Sequence, residues 1–251
     1  MHATLVQFDI TWENKPANFA RVRELLSSNR PQPGSLVVLP EMFATGFSCD
    51  VSVTGQGAPA ECDDFLQALA REFDCCVVGG VISVGIDGLA RNESVAFSPN
   101  GLLARFAKIH PFRREQEVHT PGADIVTFSW GGFKIAPLVC YDLRFPESFR
   151  AALRIGASLM VVIANWPIAR IDHWVTLLRA RAIENQAYVI GVNRCGRDPE
   201  LIYPGRSLVV DPHGAVLADA GDGEKVITAE LDPVVVAQWR EDFPALKDAR
   251  W

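Results

Sequence analysis

The apolar run over residues 133–139, which stops at Cys140 and passes directly into Tyr-Asp-Leu-Arg-Phe-Pro, constrains the fold more than any other stretch of these 251 residues. A mostly apolar run of this length, broken only by Lys134, suits a buried strand. Pro146 then fits the first position of a helix, where its missing N–H is no loss, so few residues remain for the bend between strand and helix. A thiol on such a bend projects from the end of the sheet. The N–H groups and dipole of a helix N-terminus favour its thiolate and any oxyanion formed beside it. The plainer reading is a core cysteine, because free Cys is among the most buried residue types. Partners elsewhere in the chain have to decide between the two.

The rest of the chain reads as short strands interleaved with helices. Apolar strands are expected at residues 3–10, 36–39, 76–83, 92–98, 102–108, 159–164 and 188–192, with shorter ones at 207–210, 215–218 and 226–231. Apolar residues at helical spacing, such as Phe19, Val22, Leu25 and Leu26, predict helices over 18–27, 60–73, 146–155, 172–186 and 233–240, with Asp172 as a cap. Turn signals at Gly85-Ile-Asp-Gly, Pro99-Asn-Gly, Gly131-Gly132 and Asp211-Pro-His-Gly join several strands as hairpins, among them 123–130 with 133–139. Strands outnumber helices, and the pattern is that of an α/β chain with two sheets covered by helices. No Gly/Ser-rich linker divides it, so residues 1–242 are expected to form one domain and residues 243–251 an arm.

Composition narrows the function classes. With 49% hydrophobic and 22% charged residues the chain is neither fibrous nor disordered. A net charge of -6 argues against a nucleic-acid-binding face, although a local basic pocket can still take an acidic small molecule. The cysteines at 49, 62, 75, 76, 140 and 195 have neither C-x-x-C nor zinc spacing, and the start Met-His-Ala-Thr-Leu-Val lacks the charged region and long apolar stretch of a leader. A reducing, cytoplasmic setting is therefore expected. No apolar run approaches the roughly 18 residues of a membrane span. The histidines do not form a metal-ligand spacing and no Gly-rich phosphate loop is present, so neither metal nor cofactor is expected.

Three polar residues stand in comparable places. Glu41, Lys108 and Cys140 each follow an apolar strand at its C-terminal end. Taken singly, the glutamate is a surface charge or a cleft residue, and the lysine is a solvated edge charge or a cleft cation. If the strands lie side by side, the three side chains meet in one cleft. The set is then chemically coherent: the carboxylate takes the thiol proton, the ammonium holds a developing oxyanion, and the sulfur attacks an acyl carbon. Spacing alone leaves open three unrelated edge residues.

The stretches Leu39-Pro-Glu-Met-Phe, Lys108-Ile-His-Pro-Phe, Val139-Cys-Tyr-Asp-Leu-Arg-Phe-Pro, Ala164-Asn-Trp-Pro, Arg181-Ala-Ile-Glu-Asn-Gln-Ala-Tyr-Val and Asn193-Arg-Cys-Gly resemble, in this order, the signatures of the nitrilase superfamily of carbon–nitrogen hydrolases. The resemblance spans almost the whole chain. It implies a four-layer α-β-β-α sandwich of two mixed sheets, paired as a homodimer through the helix layer after the nucleophile. It makes Glu41 the general base, Lys108 the oxyanion stabiliser and Cys140 the nucleophile, with the backbone N–H of Tyr141 as a second oxyanion donor. Pro40-Glu-Met-Phe-Ala-Thr-Gly-Phe, together with the cysteine and Ala-Asn-Trp-Pro stretches, looks most like the omega-amidase branch. That branch hydrolyses the side-chain amide of 2-oxo dicarboxylic acid monoamides, such as 2-oxoglutaramate, and releases ammonia. The family also carries a glutamate soon after the lysine motif. Glu115 fits it best and Glu117 competes, while a solvated loop charge is the plainer reading of either.

Other polar residues carry smaller expectations. Arg144 pairs with a substrate carboxylate, or else ties Asp142 or Glu147 into a structural ion pair. Trp166 is expected to wall the cleft, and Asn165 to hold its loop by backbone hydrogen bonds. Glu184 and Asn185 suit a subunit contact or a fold-holding role. His110, His119 and His173 are given ordinary positions, because the lysine and glutamate already supply the charges a Cys-His pair would bring. Rival readings are a carbamoylase, aliphatic amidase or nitrile hydrolase of the same fold and, in a different class, a binding protein that keeps the fold without catalysis.

Overall fold

Strand pairing sorts the apolar runs into two mixed sheets. In the computed structural model, which describes residues 1–57 and 60–250, the first sheet has the order Lys225–Glu230, His2–Gln7, Leu36–Val38, Cys76–Val84, Ala90–Ser98, Gly101–Ala107. The second runs Val216–Asp219, Leu208–Val210, Tyr188–Asn193, Leu159–Ala164, Phe133–Val139, Phe128–Trp130. In each sheet three central neighbours are parallel and the strands next along this order antiparallel, while the two-residue strand Gly55–Gln56 adds to the first sheet, parallel to Cys76–Val84.

The two-residue period of a strand explains the layers. Leu36 and Val38 join Ala3, Leu5, Cys76 and Val78 in the core shared with the second sheet. Val37 and Leu39 point the other way, into a core with Val22 and Leu26 of helix Lys15–Ser28 and Leu66 and Leu69 of helix Glu61–Phe73. Burying one such side chain is worth about 1.5–3 kcal/mol, so strands apolar on both faces are held from both sides. Helices Pro146–Arg154 and Ile171–Asn185 cover the second sheet with Phe149, Trp174 and Leu178. Gly191 lets the longer helix approach, since a Cβ there would stand 2.4 Å from Leu178 Cδ1 and 2.7 Å from Trp174 Cζ2. The order is α-β-β-α, as the resemblance implies.

Three expectations need correction. Residues 123–127 are not a strand, and the hairpin across Gly131-Gly132 is confined to Phe128–Trp130 against Phe133–Ile135. The chain reaches this point from the first sheet, where the N–H of Gly122 donates to Lys108 O at 2.9 Å. Residues 123–127 cross between the sheets and have no strand beside them. Asp172 lies inside the first turn of Ile171–Asn185 and caps nothing. The small hairpin Cys195–Arg197 with Ile202–Pro204 falls where no alternation is visible. The remaining strands and helices lie within a few residues of their expected bounds. All six cysteines are free, and among the described residues no helix is long and apolar enough to cross a membrane. In the tail Ala245–Asp248 forms a short helical turn, and Trp251, counted with the arm, lies outside the described residues.

Candidate active site

Chain reversals at strand ends bring the expected polar residues together, by a route different from neighbouring strands. Glu41 follows Leu36–Val38 and Lys108 follows Gly101–Ala107, with two strands between them in the first sheet, and Cys140 comes from the second sheet. The side chains meet across the gap between the sheets. Relative exposures are 0% for Glu41, 1% for Lys108, 0% for Glu115 and 8% for Cys140.

A hydrogen-bond network sets their geometry. Lys108 Nζ donates to Glu41 Oε1 at 2.9 Å and to Glu115 Oε2 at 2.6 Å. Asn92 Nδ2 bridges the same two carboxylates at 2.8 Å each. The second oxygen of Glu41 accepts from the Asn165 N–H at 2.8 Å, and Asn165 Nδ2 donates to the Glu41 carbonyl at 2.8 Å. Glu115 Oε2 also takes the Phe112 N–H at 2.8 Å, whereas Glu117 is exposed. Of the two glutamates, Glu115 is the one buried against Lys108.

Charge follows from this geometry. Burial works against the Lys108 ammonium, but Glu41 and Glu115 outweigh it and hold the group well above its ordinary range. Burial likewise opposes ionisation of Glu115, yet the ammonium of Lys108 and the hydrogen bonds pull its carboxyl below the usual value. The Cys140 thiol is pushed well above its ordinary range, by burial first and then by the Glu41 charge. The resting sulfur is therefore protonated and faces a proton acceptor beside a fixed cation.

The bend at Cys140 is built as the sequence suggests. Cys140 has φ 46°, outside the region most side chains prefer, and opens the short helix Cys140–Arg144 that leads into Pro146–Arg154. Such a residue costs of order 1–3 kcal/mol and persists only where its surroundings enforce it. Asp142 supplies part of that enforcement, accepting from the Val139 N–H at 3.2 Å and from the His110 N–H and Nδ1 at 3.0 and 2.8 Å. His110 stacks on Phe145 with ring centroids 3.6 Å apart. The lysine motif is in this way bolted to the cysteine motif through His110, a tie that sequence reading missed. Arg181 holds the far end of the bend, donating to Leu143 O at 3.1 and 2.8 Å and to Glu184 at 3.0 Å. Asn185 donates back to Arg181 O at 2.9 Å, a fold-holding role for both residues.

Beside the sulfur lies a cavity walled by Phe47, Phe112, Tyr141, Asn165, Trp166, Pro167, Leu201 and Tyr203, with Arg144 and Arg170 as its charged lining. The N–H of Tyr141 stands in the first turn of a helix, where N–H groups have no partner within the helix. Trp166 walls the cleft as expected. Its loop is held by Asn165, through the bond to the Glu41 carbonyl, and also by Asn193, whose amide takes the Trp166 N–H at 2.7 Å and donates to the Trp166 carbonyl at 2.9 Å. Arg144 makes neither structural ion pair. Asp142 is occupied by His110 and Val139, and the guanidinium lies 4.9 Å from the Trp166 ring centroid.

Asn92, Asn165 in its hold on Glu41, Arg170, Leu201 and Tyr203 are site residues that sequence reading did not find. Asn92 left little signal, because Arg91, Glu93 and Ser94 beside it in the strand are polar too, and only its burial shows that it must have partners. Gly80 left none. A Cβ there would stand 2.5 Å from both Glu41 Cα and Met42 N, so only glycine lets the Glu41 turn lie against the neighbouring strand. Gly80→Ala is expected to displace Glu41 and to lower stability by about 1–3 kcal/mol and kcat by roughly a hundredfold. Steady-state kinetics and denaturant unfolding check both. Among the described residues no cluster of His, Cys, Asp or Glu is arranged to hold a metal ion.

Comparison with known proteins agrees with this arrangement. The family model for carbon-nitrogen hydrolases matches residues 2–241. The chain is 38% identical to the omega-amidase YafV of Yersinia enterocolitica, over 98% of this chain and 95% of that one. It is 33% identical to the 2-oxoglutaramate amidase of Bacillus subtilis, over 98% and 96%. The crystal structure of XC1258 from Xanthomonas campestris, a CN-hydrolase superfamily protein with an arsenic adduct in its active site, superposes with a TM-score of 0.93. The two are 32% identical, with 100% of this chain and 97% of that one covered.

Proposed function

From the premise that this chain belongs to the carbon–nitrogen hydrolase family and is an amide-hydrolysing enzyme, we propose that it is an omega-amidase, cleaving the side-chain amide of 2-oxo dicarboxylic acid monoamides such as 2-oxoglutaramate. The relatives' named activities support the substrate class. The observation that carries the chemistry is the buried junction of Glu41, Lys108 and Glu115 against the Cys140 thiol.

In this reading Glu41 takes the thiol proton as Cys140 Sγ bonds to the amide carbon. The transfer moves no net charge into or out of the buried site, whereas losing the proton to solvent would leave three anions around one ammonium. The carbonyl oxygen becomes an oxyanion held by Lys108 Nζ and the Tyr141 N–H. The C–N bond then breaks, Glu41 returns its proton to the leaving nitrogen, and ammonia departs from a thioester. Water gives a proton to Glu41 and attacks the thioester carbon. Collapse of that second oxyanion releases the acid, and the sulfur recovers its proton. Glu115 and Asn92 touch no reacting atom in this scheme and act by fixing Lys108 and Glu41. Arg144 is the candidate for a substrate carboxylate, and Trp166 shapes the wall.

The same proposal has residues 1–242 as the catalytic unit and 243–251 as an arm. It has two copies paired through helices Pro146–Arg154 and Ile171–Asn185, in a reducing cytoplasmic setting. Six free thiols and the half-exposed Ile183 on the second helix support these parts.

The test is ammonia release from 2-oxoglutaramate, an N-carbamoyl amino acid, an aliphatic amide and a nitrile, with the mass of the acyl adduct trapped on Cys140. The expected result is a kcat/KM for 2-oxoglutaramate at least about tenfold above the others, with a 2-oxoglutaryl adduct. Preference for another member of the panel overturns the substrate assignment.

A further inference from the structure

Among the described residues, two guanidinium groups in the cavity wall have no acidic partner. Arg144 lies over Trp166, 4.9 Å from its ring centroid, and Arg170 lies over Phe112 at 5.5 Å. Both rings line the cavity that contains Cys140. Among the described residues Arg144 donates only to His173 Nδ1, at 3.2 Å, and the Arg170 side chain makes no hydrogen bond or ion pair. The acids of the facing hairpin are engaged elsewhere: Asp198 accepts from Tyr203 Oη at 2.5 Å, and Glu200 pairs with Arg114 at 3.5 Å.

The two positions are also built together. Trp166 Nε1 donates to the Arg170 carbonyl at 2.7 Å, so the indole that carries Arg144 on its face also fixes the backbone of Arg170. A guanidinium lying over an aromatic ring keeps its in-plane N–H groups available, and that planar fork fits a carboxylate. Two unbalanced cations on otherwise mostly apolar walls favour an anionic ligand and resist a neutral one.

We propose that Arg170, together with Arg144, anchors the carboxylate at the end of the substrate remote from the scissile amide, and so makes the pocket selective for amides with an anionic end. This presupposes the omega-amidase reading, and the experiment separates the two. Wild type, Arg170→Met and Arg170→Lys are assayed on 2-oxoglutaramate and on neutral pentanamide, with the iodoacetamide labelling rate of Cys140 reporting whether the nucleophile is undisturbed. Arg170→Met is expected to lower kcat/KM for 2-oxoglutaramate roughly 10- to 100-fold, mainly through KM. Its losses in pentanamide turnover and in labelling rate should be several-fold smaller than the loss on 2-oxoglutaramate, and lysine should restore part of the latter. A kcat/KM within threefold of wild type on 2-oxoglutaramate, or an equal loss on pentanamide or in labelling, overturns the anchor. If wild type ignores 2-oxoglutaramate but hydrolyses an N-carbamoyl amino acid in an Arg170-dependent way, the anchor stands and the omega-amidase reading falls.

Discussion

Cys140→Ala is expected to lower kcat by about a hundred-thousandfold or more, the scale on which loss of a nucleophile acts in enzymes of this kind, while leaving the fold intact. The thiol is small and 8% exposed, and the charge that acts on it most is that of Glu41. Removing it leaves that carboxylate held by Lys108, Asn92 and Asn165, which satisfy both its oxygens. Alanine has no SH group to crowd the left-handed bend, and the Asp142 and Arg181 contacts that shape it remain. Ammonia release and the denaturant midpoint are the two measurements. Appreciable turnover by the variant would require another nucleophile.

Lys108→Met is expected to injure both activity and stability. Without the ammonium the oxyanion loses a charged donor, which amounts to roughly a thousandfold in kcat. Glu41 and Glu115, both fully buried, also lose the cation that balances them, and an uncompensated buried charge costs about 3–5 kcal/mol. The pH dependence tells this from simple loss of packing. In wild type Glu115 has its carboxyl pulled below the ordinary value, so its contribution to stability is complete above that value and fades as pH falls through the depressed one. In the variant burial acts on the Glu115 carboxyl without the ammonium to oppose it, and it binds a proton more readily. The deficit between variant and wild type should therefore shrink as pH is lowered toward about 4.5. A deficit that stays constant with pH would mean that the lysine stem, rather than its charge, carries the effect. Methionine keeps most of the stem, so the contrast with Cys140→Ala separates a group that reacts from one that also holds the site together.

The reach of sequence reading is clearest at particular residues. Cys140 was legible because an apolar strand that ends in a thiol before a proline-led helix is a local pattern. Trp166 was legible as a wall through its motif. Arg144 was left between two roles, because local spacing cannot say whether Asp142 is already taken. His110 and Asp142 belong to separate motifs and meet only when the first sheet packs against the second. Asn92 sits among the polar residues Arg91, Glu93 and Ser94, and its two acceptors lie 51 and 23 residues away along the chain. Gly80 is silent in sequence, since its importance is the absence of a side chain where another strand's turn passes. Residues 123–127 were misread as strand because apolar content does not reveal whether a partner lies alongside.

By itself, then, the sequence determined what depends on short-range periodicity and local chemistry. This covers which segments become strands and helices, which strands are buried on both faces, and which residue types stand at the strand ends. Tertiary structure alone decided that Glu41 and Lys108 reach Cys140 across two stacked sheets, that Glu115 rather than Glu117 turns inward, and that Arg170 joins Arg144 in the wall. The physical reason is distance. The hydrogen bonds of a helix and the side-chain periodicity of a strand are properties of neighbours in the chain, whereas the charge state of a buried carboxylate, ammonium or thiol depends on groups brought within a few ångströms by packing.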